Sequence, residues 1–119
     1  MSLPVLLATA VVGGLGALAR FALDGAVAGR LGRELPFGTL AVNATGSLAL
    51  GLVASLDGDA YRLLATGLLG AYTTFSTWML ESHRLGEDGR LRAGALNLAV
   101  SLAAGLASAW LGRRLGAAL

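Results

Sequence analysis

Four long apolar runs, almost free of charged residues, constrain the fold of this chain more than any other feature of its sequence. A helix needs about 20 apolar residues to cross the hydrocarbon of a bilayer, and each run has approximately that length. Nearly every charged residue lies between the runs, so the polar segments are short loops. We therefore predict an all-α membrane protein, a single domain over residues 1–119 with transmembrane helices at about 3–23, 35–56, 62–82 and 91–114.

Composition argues against several other classes of protein. With 55% hydrophobic and 13% charged residues, the chain is too apolar for an ordinary soluble domain. Cysteine is absent, which excludes disulfides and thiolate sites. The formal net charge of +2 comes from arginines beside the apolar runs, a pattern typical of contact with lipid headgroups and not of nucleic-acid binding. No basic residue precedes the first run, so we expect a retained helix and not a cleaved signal peptide.

The arginines orient the four predicted helices only weakly. Three lie on the side of the termini, and six lie on the other side: Arg20, Arg30, Arg33, Arg84, Arg90 and Arg92. The positive-inside rule responds to such an excess, but a small one fits insertion in both orientations as well as a single orientation with the six arginines in the cytoplasm. The 18 glycines predict close helix packing and oligomerisation.

The least ordinary segment of the predicted third helix is residues 70–78, where four serine or threonine hydroxyls lie close together. Hydroxyls that bond back to the preceding turn bend a helix, and glycine permits unwinding, so the segment predicts a helix broken near the middle of the bilayer. The alternative is a continuous helix with back-bonded hydroxyls. At membrane depth, free backbone is tolerated only where protein buries it or where it lines an aqueous path.

Polar stripes on two other predicted helices indicate a hydrophilic track. Asn43 and Ser47 share a face of the second helix, and Asn97 and Ser101 begin a stripe on the fourth. Taken alone, the Asn43 stripe is more typical of hydrogen bonds between membrane helices, and it is the two stripes together with the hydroxyl cluster that favour a track. The track has no carboxylate and no histidine, which excludes the common proton relays, whereas amide and hydroxyl donors suit an anion.

Three further side chains complete the functional interpretation. The positive ring edges of Phe75 and Trp78 favour an anion near the track. Arg20 ends the first run, where it either draws anions into a vestibule or extends to the headgroups. His83 stands alone in a charged loop and is expected to be exposed. We find no sequence signature of an enzyme.

Three blocks of the sequence resemble the Fluc (CrcB) fluoride channel family: residues 13–21 (GGLGALARF), 38–46 (GTLAVNATG) and 70–77 (GAYTTFST). The third block is the most specific. The resemblance implies an antiparallel, dual-topology dimer in the prokaryotic plasma (inner) membrane, a multi-pass protein that exports fluoride passively through two pores at the subunit interface. Its partners would be fluoride, membrane lipid and a second subunit, with no nucleic acid.

The same resemblance assigns roles to individual residues. Asn43 and Phe75 would contact fluoride, Ser76 and Thr77 would line the pore nearby, and Arg20 would lie in the vestibule. We add Trp78 and Ser101 to the predicted pore. The carbonyls of Gly70 and Thr73 would hold a structural Na⁺ at the dimer centre.

Two positions depart from the family pattern. Trp78 stands where many members have a second phenylalanine, and Asn97 stands where many have a tyrosine. Since some relatives assemble from two different chains, a heterodimer with a paralogous chain is an alternative to the homodimer. A small multidrug transporter and a non-conducting accessory subunit are the rivals. The first should carry a glutamate in its first helix, which is absent here, and the second would need no polar track.

Overall fold

The computed structural model describes residues 1–119 as a bundle of helices without strands, 49 Å long and 30 by 24 Å across. In chain order the elements are α1 (Leu3–Leu31), α2 (Phe37–Leu52), α3 (Gly58–Tyr61), a π-helix (Arg62–Leu69), α4 (Gly70–Tyr72), α5 (Ser76–Glu87) and α6 (Leu91–Ala118). The prediction of an all-helical chain is confirmed.

The ends of α1 are set by local chemistry. The Ser2 hydroxyl accepts a hydrogen bond from the Val5 main-chain N–H (3.4 Å), and Pro4 lies in the first turn, where its missing N–H is not needed. Gly32 ends the helix with a φ of 79°, in the left-handed region that favours glycine. The 29 residues of α1 extend about 44 Å, which is more than the hydrocarbon requires. The helix therefore continues beyond the predicted boundary at residue 23.

The other predicted bounds also differ at the helix ends. Pro36 precedes α2, which therefore begins at Phe37 instead of residue 35 and ends at Leu52 instead of residue 56. The predicted helix 62–82 is divided among the π-helix, α4 and α5, and the short α3 precedes it. Helix α6 begins at Leu91, as predicted, and continues past residue 114 to Ala118 through Gly116, which packs against the Leu52 backbone of α2.

Between α4 and α5 the chain leaves the helix over residues 73–75, which we call the interruption. Thr73 is extended, with φ −80° and ψ 158°, and α5 begins at Ser76. The preceding eight-residue π-helix is itself unusual, because π-helices are rare and occur mostly as short stretches near functional sites. Irregular backbone is therefore concentrated in this part of the chain.

Glycines allow the helices to approach at backbone distance. Gly112 of α6 faces the Leu48 carbonyl on α2, and Gly16 of α1 faces the Leu68 carbonyl, so that a Cβ at either glycine would overlap a carbonyl oxygen. The α2–α6 contact, which we call the glycine seam, contains Gly51, Gly112 and Gly116. Such close packing is typical of membrane helices, where small residues let the backbones meet.

The outer faces of the bundle are apolar. Only 13 of the 119 residues are buried within the chain, and large apolar side chains along α1 and α6 are exposed. By length and composition, α1 and α6 are each able to cross a membrane, and the apolar α2 is shorter at 16 residues. Monomeric soluble proteins rarely expose continuous apolar surface of this extent, so these faces fit contact with lipid or with another subunit.

Candidate functional site

Asn43 ties α2 to the interruption. Its Nδ2 donates to the Thr74 main-chain carbonyl at 2.7 Å, and its Oδ1 accepts from the Thr74 main-chain N–H at 2.8 Å. These two bonds replace bonds that a continuous helix would make to the same main-chain groups. Because an amide nitrogen carries two hydrogens, one N–H of Asn43 has no acceptor within the chain.

The interruption leaves the main-chain carbonyls of Gly70 and Thr73 without a hydrogen bond from the chain. In a helix Gly70 would accept from the Thr74 N–H, but that group donates to Asn43. The Thr77 N–H, which would reach Thr73, donates to the Thr74 hydroxyl at 3.3 Å. At membrane depth such carbonyls need a partner from outside the chain.

A groove of about 360 Å³, which we call the α6 groove, lies over the interruption between α2, α5 and α6. Its polar and aromatic lining consists of Asn43, Ser47, Thr73, Thr74, Phe75, Trp78 and Ser101. Phe75 is 69% exposed, and its ring meets the ring of Trp78 at 88° with centroids 5.7 Å apart. Because no charged residue lines this groove, it offers neutral donors and ring edges to a ligand.

A second groove of about 480 Å³, the α1 groove, lies on the other side of the interruption. It includes Arg20, Asp24, Thr39, Thr74 and Thr77. Thr74 lines both grooves, so the interruption lies between them and separates them. Arg20 is half-buried and forms no ion pair within the chain, while Asp24 of the same groove pairs with Arg33.

The hydroxyls at the interruption are ordered among themselves. The Thr74 hydroxyl donates to the Thr77 hydroxyl oxygen at 3.1 Å, which leaves the hydrogen of the Thr77 hydroxyl for another acceptor. The Thr73 hydroxyl bonds back to the Leu69 carbonyl at 3.0 Å, as expected for threonine after a helical turn. Ser76 is exposed at the start of α5.

The structure thus brings together some of the predicted site residues and separates others. Asn43, Phe75, Trp78 and Ser101 line the α6 groove with Thr73. Thr77 and Arg20 line the α1 groove, and neither Gly70 nor Ser76 lines either groove. His83 is exposed, as expected, and pairs with Glu87, and no cluster of three His, Cys, Asp or Glu side chains is placed to hold a metal ion.

Two contacts near the site were not predicted from the sequence. The buried Thr39 hydroxyl donates to the Glu81 carboxylate on α5, 42 residues away. The Trp78 indole N–H donates to the Asn97 main-chain carbonyl at 3.2 Å, so it is not a free donor. The position of Glu81 directly after the third apolar run was the only available signal for the first contact, and no sequence signal joins Trp78 to Asn97.

Comparison with known proteins gives a consistent result. The family model described as "CrcB-like protein, Camphor Resistance (CrcB)" matches residues 7–113. The chain is 51% identical over 105 residues to the fluoride-specific ion channel FluC 2 of Mycobacterium tuberculosis, covering 87% of this chain and 83% of the relative. It is 44% identical over 114 residues to FluC 1 of Symbiobacterium thermophilum, covering 89% and 92%, and 43% identical over 110 residues to FluC of Syntrophotalea carbinolica, covering 87% and 89%.

Proposed function

This chain belongs to the CrcB family, and we propose that it is a fluoride-selective channel through which fluoride leaves the cytoplasm of a prokaryotic cell passively. The family consists of channels and not enzymes, and the relatives named as fluoride-specific ion channels match most of this chain. The expected location is the plasma (inner) membrane, with lipid against the exposed apolar faces of α1 and α6.

The observation that carries the proposal is the double hydrogen bond between Asn43 and Thr74 at the edge of an uncharged groove. It ties the interruption to α2 and leaves one amide N–H of Asn43 free, and Asn43 lines the same groove as Phe75 and Trp78. Fluoride is small and strongly hydrated, so a selective pore must replace its water with close donors without holding the ion too firmly. Neutral donors and ring edges are suited to this, whereas a lysine or arginine inside the groove would bind the anion more tightly.

We assign Asn43, Phe75, Trp78 and Ser101 to the pore because they share the α6 groove. Thr77 would contribute polar lining from the α1 groove on the other side of the interruption, where its hydroxyl has a free hydrogen. Ser76 lines neither groove, and its proposed place in the polar lining rests on the resemblance to the family alone. Arg20 would form the vestibule, since its unpaired charge raises the local anion concentration at the α1 groove.

We propose that the chain crosses the membrane four times and functions as an antiparallel, dual-topology dimer with two pores at the interface. The weak arginine bias supports insertion in both orientations. Phe75 and Gly70 are exposed beside the interruption, as expected if a second subunit covers this region. The homodimer is the simpler arrangement. The numbered names FluC 1 and FluC 2 among the relatives support a heterodimer with a paralogous chain as the alternative.

The carbonyls of Gly70 and Thr73 fit a structural Na⁺ at the dimer centre. Both lack a donor within the chain, and carbonyl oxygens are suitable ligands for a hard cation. Two such carbonyls from each of two subunits would form a four-oxygen site. A bound ion would satisfy main-chain groups that otherwise carry a desolvation cost at the proposed depth of the interruption.

The experiment that tests the proposal is fluoride efflux from liposomes that contain this protein alone, read with a fluoride electrode. We expect rapid fluoride release and no comparable chloride release. As a control for substitution in general, the Trp110→Phe variant should release fluoride like the wild-type protein, because Trp110 is exposed on α6 and lies outside both grooves. Absence of fluoride release from folded dimers would contradict the proposal of a self-sufficient channel.

A further inference from the structure

A third groove, which we call the N-terminal groove, lies between the N-terminal ends of α2 and α6 and has a volume of about 250 Å³. Its apolar lining includes Phe37 and Leu40 of α2 and Ala93, Leu96 and Val100 of α6. The N-terminal groove shares no lining residue with the α6 groove or the α1 groove. The residues assigned to fluoride therefore do not explain it.

The N-terminal groove is open because no glycine joins α2 to α6 at this end. The glycine seam closes the other end of the helix pair. Here Gly38 faces α1 and Gly94 faces α5, so neither lets α2 and α6 meet. The side chains of Phe37, Leu96 and Val100 remain 39% to 54% exposed.

One end of the N-terminal groove is basic. Arg90 lines the groove and directly precedes α6, at the edge of the predicted span. It forms no ion pair within the chain, and its guanidinium donates only to the Glu34 main-chain carbonyl at 3.5 Å. The carboxylates of Glu34 and Asp88 line a separate cleft and not this groove. The Arg90 guanidinium is therefore available to an anion.

The main chain adds positive charge at the same end. Both α2 and α6 begin beside the groove, and neither has a side-chain cap. The first N–H groups of a helix carry partial positive charge. Together with Arg90, the two helix ends favour a negatively charged group at the mouth of the groove.

The rest of the N-terminal groove suits hydrocarbon. From Arg90 its lining continues along α6 to Val100, about 15 Å further towards the middle of the span. Asn97 is the one polar side chain in this stretch, and its amide bonds to the hydroxyls of Ser82 and Ser101. A charged end at the membrane surface and an apolar groove below it match the phosphate and the acyl chain of one phospholipid.

We propose that the N-terminal groove binds an anionic phospholipid, with its phosphate at Arg90 and one acyl chain against Leu96 and Val100. Basic pockets between transmembrane helices bind anionic headgroups in this way. The lipid would join the ends of α2 and α6 that the glycine seam does not reach, and it would stabilise the folded chain by mass action. This site is separate from the proposed fluoride path and does not depend on conduction.

The test is the midpoint temperature of thermal unfolding in an uncharged detergent, titrated with dioleoylphosphatidylglycerol or dioleoylphosphatidylcholine. The anionic lipid should raise the midpoint more than the zwitterionic one. Arg90→Gln should increase the concentration of anionic lipid needed for half of the effect about fivefold, as expected for one arginine near a membrane surface. Arg113→Gln, exposed near the other end of α6 and outside the groove, should titrate like the wild-type protein.

A second variant tests the apolar part of the groove. Ala93→Phe fills the groove and should remove the stabilisation by dioleoylphosphatidylglycerol, whereas Ala95→Phe, exposed on α6 outside the groove, should retain it. Each variant is compared with its own midpoint without lipid, so a change in its basal stability does not enter the result. Should Ala93→Phe fail to fold, Arg90→Gln and its control decide the proposal.

Four results would overturn the proposal. They are equal stabilisation of the wild-type protein by the two lipids, and a titration of Arg90→Gln or Ala93→Phe that matches the wild type. Equal stabilisation by glycerol 1-phosphate, which has no acyl chain, would show an anion site instead of a lipid site. A smaller oligomer for Ala93→Phe in light scattering would show that a second copy of the chain covers the groove.

Discussion

The glycine seam and the interruption satisfy their main-chain hydrogen-bonding groups in different ways. At the seam, α2 and α6 keep their helical hydrogen bonds, and Gly112 lets the backbones meet without a polar side chain between them. At the interruption the helical bonds are lost, and the Asn43 side chain replaces two of them. Main-chain groups that are not used within a helix become available to a ligand, so the site lies where the chain is least regular.

The largest effect is expected from Asn43→Ala, which removes both hydrogen bonds between the Asn43 side chain and the Thr74 main chain. It leaves the Thr74 N–H and carbonyl without partners, at a cost of about 1–3 kcal/mol for each group. We expect a lower free energy of unfolding in detergent and loss of fluoride efflux. Ser55→Ala, at an exposed site outside both grooves, is the control. Normal efflux in Asn43→Ala would show that the interruption does not depend on the amide.

A somewhat smaller effect is expected from Gly112→Ala, which breaks the seam and leaves the interruption untouched. The new Cβ would overlap the Leu48 carbonyl, and overpacking of this kind costs about 1–3 kcal/mol. The midpoint temperature of thermal unfolding and the yield of folded protein should fall, while the ratio of fluoride to chloride efflux through the remaining folded protein stays the same. Gly29→Ala on α1 has no neighbour within 4 Å and should be neutral. Equal stability of the two variants would contradict close packing at the seam.

Phe75→Leu separates the role of the side chain from that of the main chain at the interruption, because it removes an aromatic edge from the α6 groove without altering the backbone. An aromatic contact contributes about 0.5–1.5 kcal/mol, so fluoride efflux should fall up to about tenfold with little change in stability. Phe37→Leu is the matched control, since Phe37 lies outside both grooves. If both variants conduct equally, the ring edge of Phe75 has no role in conduction.

The smallest effect is expected from Arg20→Gln. Because this charge would act on anions at a distance, efflux should fall roughly threefold at low ionic strength, and the difference should vanish near 1 M salt, where charges are screened within about 3 Å. Arg92→Gln, at an exposed site outside both grooves, should leave efflux unchanged. A loss that persists at high salt would indicate direct coordination instead of attraction into a vestibule.

The fold was predictable from the sequence to the extent that it depends on local composition. Charge-free apolar runs predicted helices, and glycine content predicted close packing, which Gly16 and Gly112 show. The extension of α1 to Leu31 was missed because the prediction followed hydropathy, whereas a helix continues until a residue such as Gly32 ends it.

The sequence indicated which residues belong to the candidate site, but it did not indicate which residues they bond to. Asn43 stood out as an amide in an apolar run, but its bonds to Thr74 join residues 31 positions apart. Likewise, Trp78 stood out for its ring edge, but the bond of its indole N–H to the Asn97 carbonyl joins two different helices. Such pairings depend on how the helices pack, which no local pattern records. The predicted roles of the individual residues remain predictions.

The most direct measurement of the central claim is the reversal potential of purified protein in a planar bilayer with fluoride on one side and chloride on the other. A fluoride-selective channel predicts a current that reverses near the equilibrium potential of fluoride and does not move when chloride is varied. A reversal potential that follows chloride, or a folded protein that passes no current, would contradict the account.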